Sequence, residues 1–179
     1  EHPPLDKVWS GAVWALSRGL LDDLTAHRLG NILLAGLLAG MLYSWIAEAY
    51  GKPAGFFAVA ALLTMPRFFF HAHLSALDVP AAVSVFAVTF LFWRTADRKG
   101  WAWGLLLGLA WGLALAVKIN AAFVPVAVGL WLLVFRRHWY LIFRLALMGL
   151  VAVPVFFGLW PWLYYDSLAR VCDYILFIT

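Results

Sequence analysis

The 179-residue sequence predicts an all-α, polytopic transmembrane helical bundle of about six spans with two interfacial helices. Three observations predict it. The hydrophobic fraction is 65% and the charged fraction 12%, whereas a soluble domain runs at roughly 45–50% apolar and about 25% charged. Mean hydropathy is +0.90. The 11 tryptophans, 6 tyrosines and 14 phenylalanines are residue types that anchor spans at both membrane interfaces. The net charge of +4 does not argue for nucleic acid, because Lys and Arg are scattered between apolar runs. The single cysteine, Cys172, excludes an internal disulfide and a cysteine-based zinc site.

The elements follow in chain order. Residues 1–7 are a polar lead-in with two prolines. In residues 8–24, Trp9, Val13, Leu16, Leu20 and Leu24 recur at helical spacing, while Ser10, Arg18, Asp22 and Asp23 fall mostly elsewhere. That pattern predicts a short interfacial helix rather than a span. Residues 25–28 read as a polar break. The first span is 29–50, rich in small residues (Gly36, Ala39, Gly40) that let helices approach closely. Tyr50-Gly51-Lys52-Pro53 is a turn. The second span, 54–70, carries Pro66 near its far end and should kink or stop there. The third is 79–93. The fourth, 101–117, is Gly-rich and ends at Lys118. The fifth is 121–135, followed by the basic loop Arg136-Arg137-His138, and the sixth is 139–159. The chain leaves the membrane at Trp160-Pro161-Trp162, and 164–179 reads as a second interfacial helix. The predicted division is therefore a 1–28 loop with interfacial helix, a 29–162 bundle, and a 163–179 interfacial helix. The chain has no initiator Met or signal peptide and stops directly after an apolar run. It is expected to be part of a longer protein, with a first span upstream and a remainder downstream.

One stretch concentrates the ionisable chemistry. Residues 68–80, Phe-Phe-Phe-His-Ala-His-Leu-Ser-Ala-Leu-Asp-Val-Pro, place His71, His73 and Asp78 between two long apolar runs. An unpaired carboxylate in hydrocarbon costs ~3 kcal/mol on insertion scales, so this cluster must face water or headgroups. Asp78 also reads as a cap for the following helix, with Pro80 in its first turn. The two roles are compatible.

The short loops orient the chain. One side receives Lys52, then Arg94, Arg98 and Lys99, then Arg136 and Arg137. That side is cytoplasmic by the positive-inside rule. Glu1, His2, Lys7, Arg28, His71, His73, Asp78, Lys118 and Trp160 then fall on the extracytoplasmic side. Of the 9 acidic residues, all but Glu48 and Asp97 fall there too. Acids, imidazoles and cations gathered at a membrane face suit a lipid-phosphate substrate. Arg28, Arg67 and Lys118 could neutralise a phosphate leaving group, and a carboxylate could take the proton of an acceptor hydroxyl. His71 and His73, with Glu1 or Asp78, could hold a divalent metal. The plainer readings are that the histidines are interfacial polar residues and that Lys118 snorkels to the headgroups.

These pieces together resemble the GT-C superfamily of membrane glycosyltransferases, nearest the protein O-mannosyltransferases and the bacterial aminoarabinose–lipid A transferases. Glu1-His2-Pro3-Pro4-Leu5-Asp6-Lys7 is similar to the family's acidic-His-Pro-Pro-Leu-x-Lys segment in the first extracytoplasmic loop. Arg28-Leu29 resembles the pair that opens its second span. Ala76-Leu77-Asp78-Val79-Pro80 resembles its second-loop aspartate segment. Gly112-Leu113-Ala114-Leu115-Ala116-Val117-Lys118 resembles its Gly-Leu-x-x-x-x-Lys segment, and Trp160-Pro161-Trp162 its re-emergence after span seven.

The resemblance implies transfer of a sugar from a polyprenyl-phosphate carrier to a protein, lipid or glycan acceptor, with inversion, at the extracytoplasmic face of a bacterial plasma membrane. It implies a catalytic base in a loop upstream of Glu1. Asp78 and Glu1 become the candidate catalytic residues of this chain. Glu1-His2 matches a Glu-Lys pair whose Glu belongs to a metal site and whose Lys faces the donor phosphate. His2 here replaces that Lys. His2, Lys7, Arg28 and Lys118 are the candidate phosphate ligands, with His71, His73 and Arg67 as further candidates. Glu1, Asp78 and His73 are the candidate ligands of a divalent metal. The rival reading is a transporter or channel segment with an Asp/His relay. A relay would set ionisable groups at mid-membrane, often in repeated halves. Here they sit at span ends, and no internal repeat is present.

Overall fold

A computed structural model describes residues 3–135 and 139–178. Among them the chain is helical throughout, with no strand. It divides into two compact units, residues 6–97 and residues 98–179 together with the first five.

The first unit begins with α1 (Leu5–Ser17), shorter than the 8–24 helix expected. The next helix, α2 (Asp23–Tyr50), begins six residues earlier than the span predicted at 29. The expected helix end at 24 and polar break at 25–28 are instead the start of this helix. Asp22 is the N-cap, its carboxylate accepting the amide of Thr25 at 3.1 Å, and Asp23 in the first turn complements the helix dipole. At 28 residues, α2 is about 42 Å long, more than the ~30 Å hydrocarbon core requires. Trp9 on α1 donates its indole N–H to the carbonyl of Gly30 at 3.1 Å, and Trp14 donates to Asp23 at 2.7 Å. These two bonds lay α1 along the first turns of α2.

Gly51, at φ 91°, makes the turn from α2 into α3 (Lys52–Thr64). Gly55 then lets α3 lie close on α2. A Cβ there would stand 2.9 Å from both Ala47 Cβ and the Tyr43 ring. The expected break at Pro66 is present. Met65 is extended, Pro66 opens α4 (Pro66–Ala72), and α3 and α4 meet at 73°. Proline lacks an N–H and disfavours helical backbone in the residue before it. After a short turn comes α5 (Asp78–Thr95). Ala35 and Leu38 of α2 pack with Ala72, Val79 and Val83 in a buried core. At the far end Arg94 of α5 pairs with Glu48 of α2 and donates to Ser44 at 2.5 Å. Trp45 there meets Phe86, Phe90 and Trp93. α2 and α5 therefore run parallel, with both of their N-termini at one end of the unit.

The second unit is built on α6 (Ala102–Val117) and α8 (Trp139–Leu159), with α7 (Phe123–Phe135) between them in sequence. Gly104, Gly108 and Gly112 face Leu147, Val151 and Val155 in turn. The constant offset means that α6 and α8 are also parallel, packed along a small-xxx-small stripe. α6 ends at Lys118, whose backbone is extended. A 3₁₀ turn (Ile119–Ala122) follows, its Ala121 carbonyl accepting the Trp111 indole N–H at 2.8 Å. After α8, a second 3₁₀ turn (Pro161–Tyr164) leads into α9 (Ser167–Ile178). Trp160 stacks on Trp162 and meets Tyr174 of α9 edge-on. The Arg170 guanidinium lies over Trp162 and donates to its carbonyl.

By length and composition α2, α5 and α8 can each cross a membrane, and α3 with α4 forms a bent fourth candidate. α6 and the segment Ile119–Phe135 are shorter apolar helices. All six predicted spans thus correspond to apolar helices, three of them short or broken.

Candidate active site

The turn between α4 and α5 brings together two of the predicted residues. Nδ1 of His71, in the last turn of α4, lies 3.1 Å from Oδ2 of Asp78, the first residue of α5. The contact is close and polar, and Nδ1 is buried with no hydrogen bond to any other group. The histidine side chain is 28% exposed and the aspartate 56%. The N-cap position falls on Leu77. Asp78 instead stands inside the first turn, where the helix dipole favours its negative charge.

The turn is held from below by Asn31, one turn along α2 from Arg28. Its side-chain amide donates to the carbonyls of Leu74 at 2.5 Å and Ala76 at 2.8 Å. Asn31 is 0% exposed. Both donors are used, while its Oδ1 is buried without a partner. A buried acceptor left unmade costs about 1–3 kcal/mol. A residue bearing that cost at a helix–helix contact is there for its donors.

The other candidates separate. The ring of His73 points back into its own helix, with Nδ1 2.7 Å from the carbonyl of Phe69. Arg67 is exposed in the first turn of α4 and Lys7 on α1, while Arg28 is half-buried. Lys118 belongs to the second unit, at the end of α6. Glu1 and His2 lie outside the described residues, as does the basic loop 136–138. Among the described residues no three of His, Cys, Asp and Glu gather as a metal set. His71 and Asp78 alone do not make one.

Two polar residues within apolar runs escaped the sequence reading: Asn31 in α2 and Arg144 in α8. Arg144 is 3% exposed, donates to the carbonyl of Arg98 and lies over the Tyr140 ring. It walls a cavity of about 170 Å³ with Gly100, Trp101, Gly104, Tyr140 and Phe143. The signal was available, since a polar residue inside a span is costly and has a reason.

An all-helical chain with several apolar helices able to span a membrane is what the GT-C resemblance leads one to expect. The sequence matches the dolichyl-phosphate-mannose-protein mannosyltransferase family over residues 2–165. The chain belongs to that family. No curated protein and no solved structure matches it. As a member of this mannosyltransferase family it is an integral membrane glycosyltransferase of GT-C type. The family implies a lipid-linked sugar as donor. The match covers both units, from the His-Pro-Pro segment to Trp160-Pro161-Trp162.

Proposed function

We propose that this chain moves a sugar from a polyprenyl phosphate to an acceptor hydroxyl at the extracytoplasmic face, with Asp78 in the transfer site. The observation that carries the reading is the His71–Asp78 pair, set at a span end in a chain of this family. The parallel course of α2 and α5 supports it. Arg28, Asn31, His71 and Asp78 lie at one end of the first unit, and Glu48, Arg94 and Lys52 at the other. The end with Lys52 and Arg94 is cytoplasmic by the positive-inside rule, which puts Asp78 outside.

In the reaction the acceptor oxygen bonds to the anomeric carbon as the bond from that carbon to the phosphate oxygen breaks. The departing polyprenyl phosphate keeps the electron pair, and the hydroxyl proton passes to a carboxylate. Asp78 presents its charge where the acceptor side gains positive character, and His71 stands beside it. Arg28, at the same end of the first unit as Asp78, is the cation proposed to face the phosphate, an electrostatic role. The single attack at the anomeric carbon gives inversion.

Two measurements test this. Ser75→Cys, in a Cys172→Ser background, should react with an impermeant maleimide added outside intact cells. Ser75 is exposed in the turn. Labelling only after lysis would overturn the orientation. Membranes carrying the full-length protein should consume dolichyl-phosphate-mannose faster than empty membranes. Equal consumption would overturn the donor assignment.

A further inference from the structure

We propose that Asn31 is a positioning residue for the transfer site, acting through the 73–77 turn to hold His71 against Asp78; the proposal rests on the assignment of Asp78 to that site. The two carbonyls it binds, Leu74 and Ala76, lie between the two members of the pair. A helix core position that served packing alone would be filled by an apolar side chain of similar shape. Here an amide is buried completely and its own oxygen is left without a donor. What the amide secures is the path of a turn with no regular hydrogen-bond ladder. At the start of the turn, the His73 and Leu74 amides donate back to the carbonyls of Phe70 and His71. The next such bond is made by Ala81, past the start of α5. Between them, the side chain of Asn31 supplies the tether. Gly30, the preceding residue, is itself pinned by Trp9, so the tether is anchored to a part of α2 that α1 braces.

The test uses the full-length protein with a nitroxide on Ser75→Cys in the Cys172→Ser background. Asn31→Leu keeps the shape and removes both donors. We expect the nitroxide spectrum to sharpen, showing a freer turn. The kcat for consumption of dolichyl-phosphate-mannose in native membranes should fall about 10–100-fold, with KM changed less than about threefold. A general packing defect would not free this turn selectively or split kcat from KM. Asn31→Ser keeps one short donor and should fall between wild type and Asn31→Leu. It also serves as the test if Asn31→Leu does not fold. A folded Asn31→Leu or Asn31→Ser protein with wild-type kcat would overturn the proposal, whatever the label shows. If the wild type itself consumes no donor, the transferase reading fails instead. The nitroxide spectrum then still decides whether Asn31 holds the turn, and an unchanged spectrum would reject that role.

Discussion

Gly108 of α6 lies against Val151 of α8 with no room for a methyl group: a Cβ built on it would stand 2.5 Å from the Val151 Cβ and 2.9 Å from the Met148 carbonyl oxygen. A backbone carbonyl cannot swing aside as a side chain can. Gly108→Ala should therefore push the two helices apart. Overpacking of this kind costs about 1–3 kcal/mol, against the ~1 kcal/mol that Ala gains over Gly in a helix. Gly149→Ala on α8, with nothing within 4 Å of the added carbon, is the control. Thermal unfolding in detergent should show a lower midpoint for Gly108→Ala and an unchanged or higher one for Gly149→Ala.

Asp78→Asn separates charge from shape. Asp78 stands at the first position of α5, not at the N-cap, so Asn should insert and fold normally. Loss of one preorganised electrostatic contact typically costs ~10²–10³ in rate. The full-length variant is expected to transfer sugar at least about a hundredfold more slowly. Wild-type rates from polyprenyl-phosphate-mannose would remove Asp78 from the site.

Two carboxylates at the start of the chain should respond to pH in opposite senses. Hydrogen bonds from Thr25 hold the Asp22 carboxyl below its ordinary range. Its contribution is present above the unfolded value, near 4, and is lost as the pH falls through the lower folded value. Burial pushes Asp6 up, against the opposing effect of Lys7. Its folded form therefore gains relative stability as the pH falls and loses it as the pH rises through the raised value. Hydrogen exchange at the Thr25 amide should accelerate below about pH 4, and Asp22→Ala should abolish that pH dependence.

Arg94 joins α5 to α2 at the far end of the first unit. Its partner Glu48 has a side chain 62% exposed, and Arg94 itself 36%. Exposed pairs contribute about 0–1 kcal/mol, so Glu48→Gln should shift stability within that range. Arg94→Ala should cost more. It also removes the bond to Ser44 and the guanidinium lying 5.2 Å from the Phe90 ring centre. A double-mutant cycle on unfolding midpoints would separate the two contributions. A Glu48→Gln cost equal to that of Arg94→Ala would show that the ion pair dominates.

Apolar runs were the readable part of this chain. The sixth span was expected at 139–159, and α8 is Trp139–Leu159. The kink was placed at Pro66, and the axis breaks there. Charge misled the reading at residues 22–28, because Asp22 and Asp23 start a new helix rather than end the expected 8–24 one, and the polar residues 25–28 continue it. A window average also conceals single residues. Asn31 and Arg144 barely alter the hydropathy of their spans, yet each makes contacts that no neighbouring apolar residue could. Which imidazole meets Asp78 was not legible either. His71 and His73 differ by two positions, and only the end of α4 turns the first of them toward the carboxylate. The glycines of α6 were visible as composition, but their partners on α8 lie about forty residues away in sequence and appear only when the helices are packed.

The bend at Met65–Pro66 makes α4 a lever. Its 7 residues extend about 10 Å at 73° to α3, almost square to the helix that carries it. A change of 10° at that elbow would carry His71, five residues along the arm, about 1 Å sideways, enough to change its distance to Asp78. The turn beyond its far end is fastened to α2 by Asn31, and its near end hangs on the extended Met65 before the proline. Pressure on the outer face of α4, from bilayer or a neighbouring segment, would thereby act on the spacing between His71 near its tip and Asp78 across the turn.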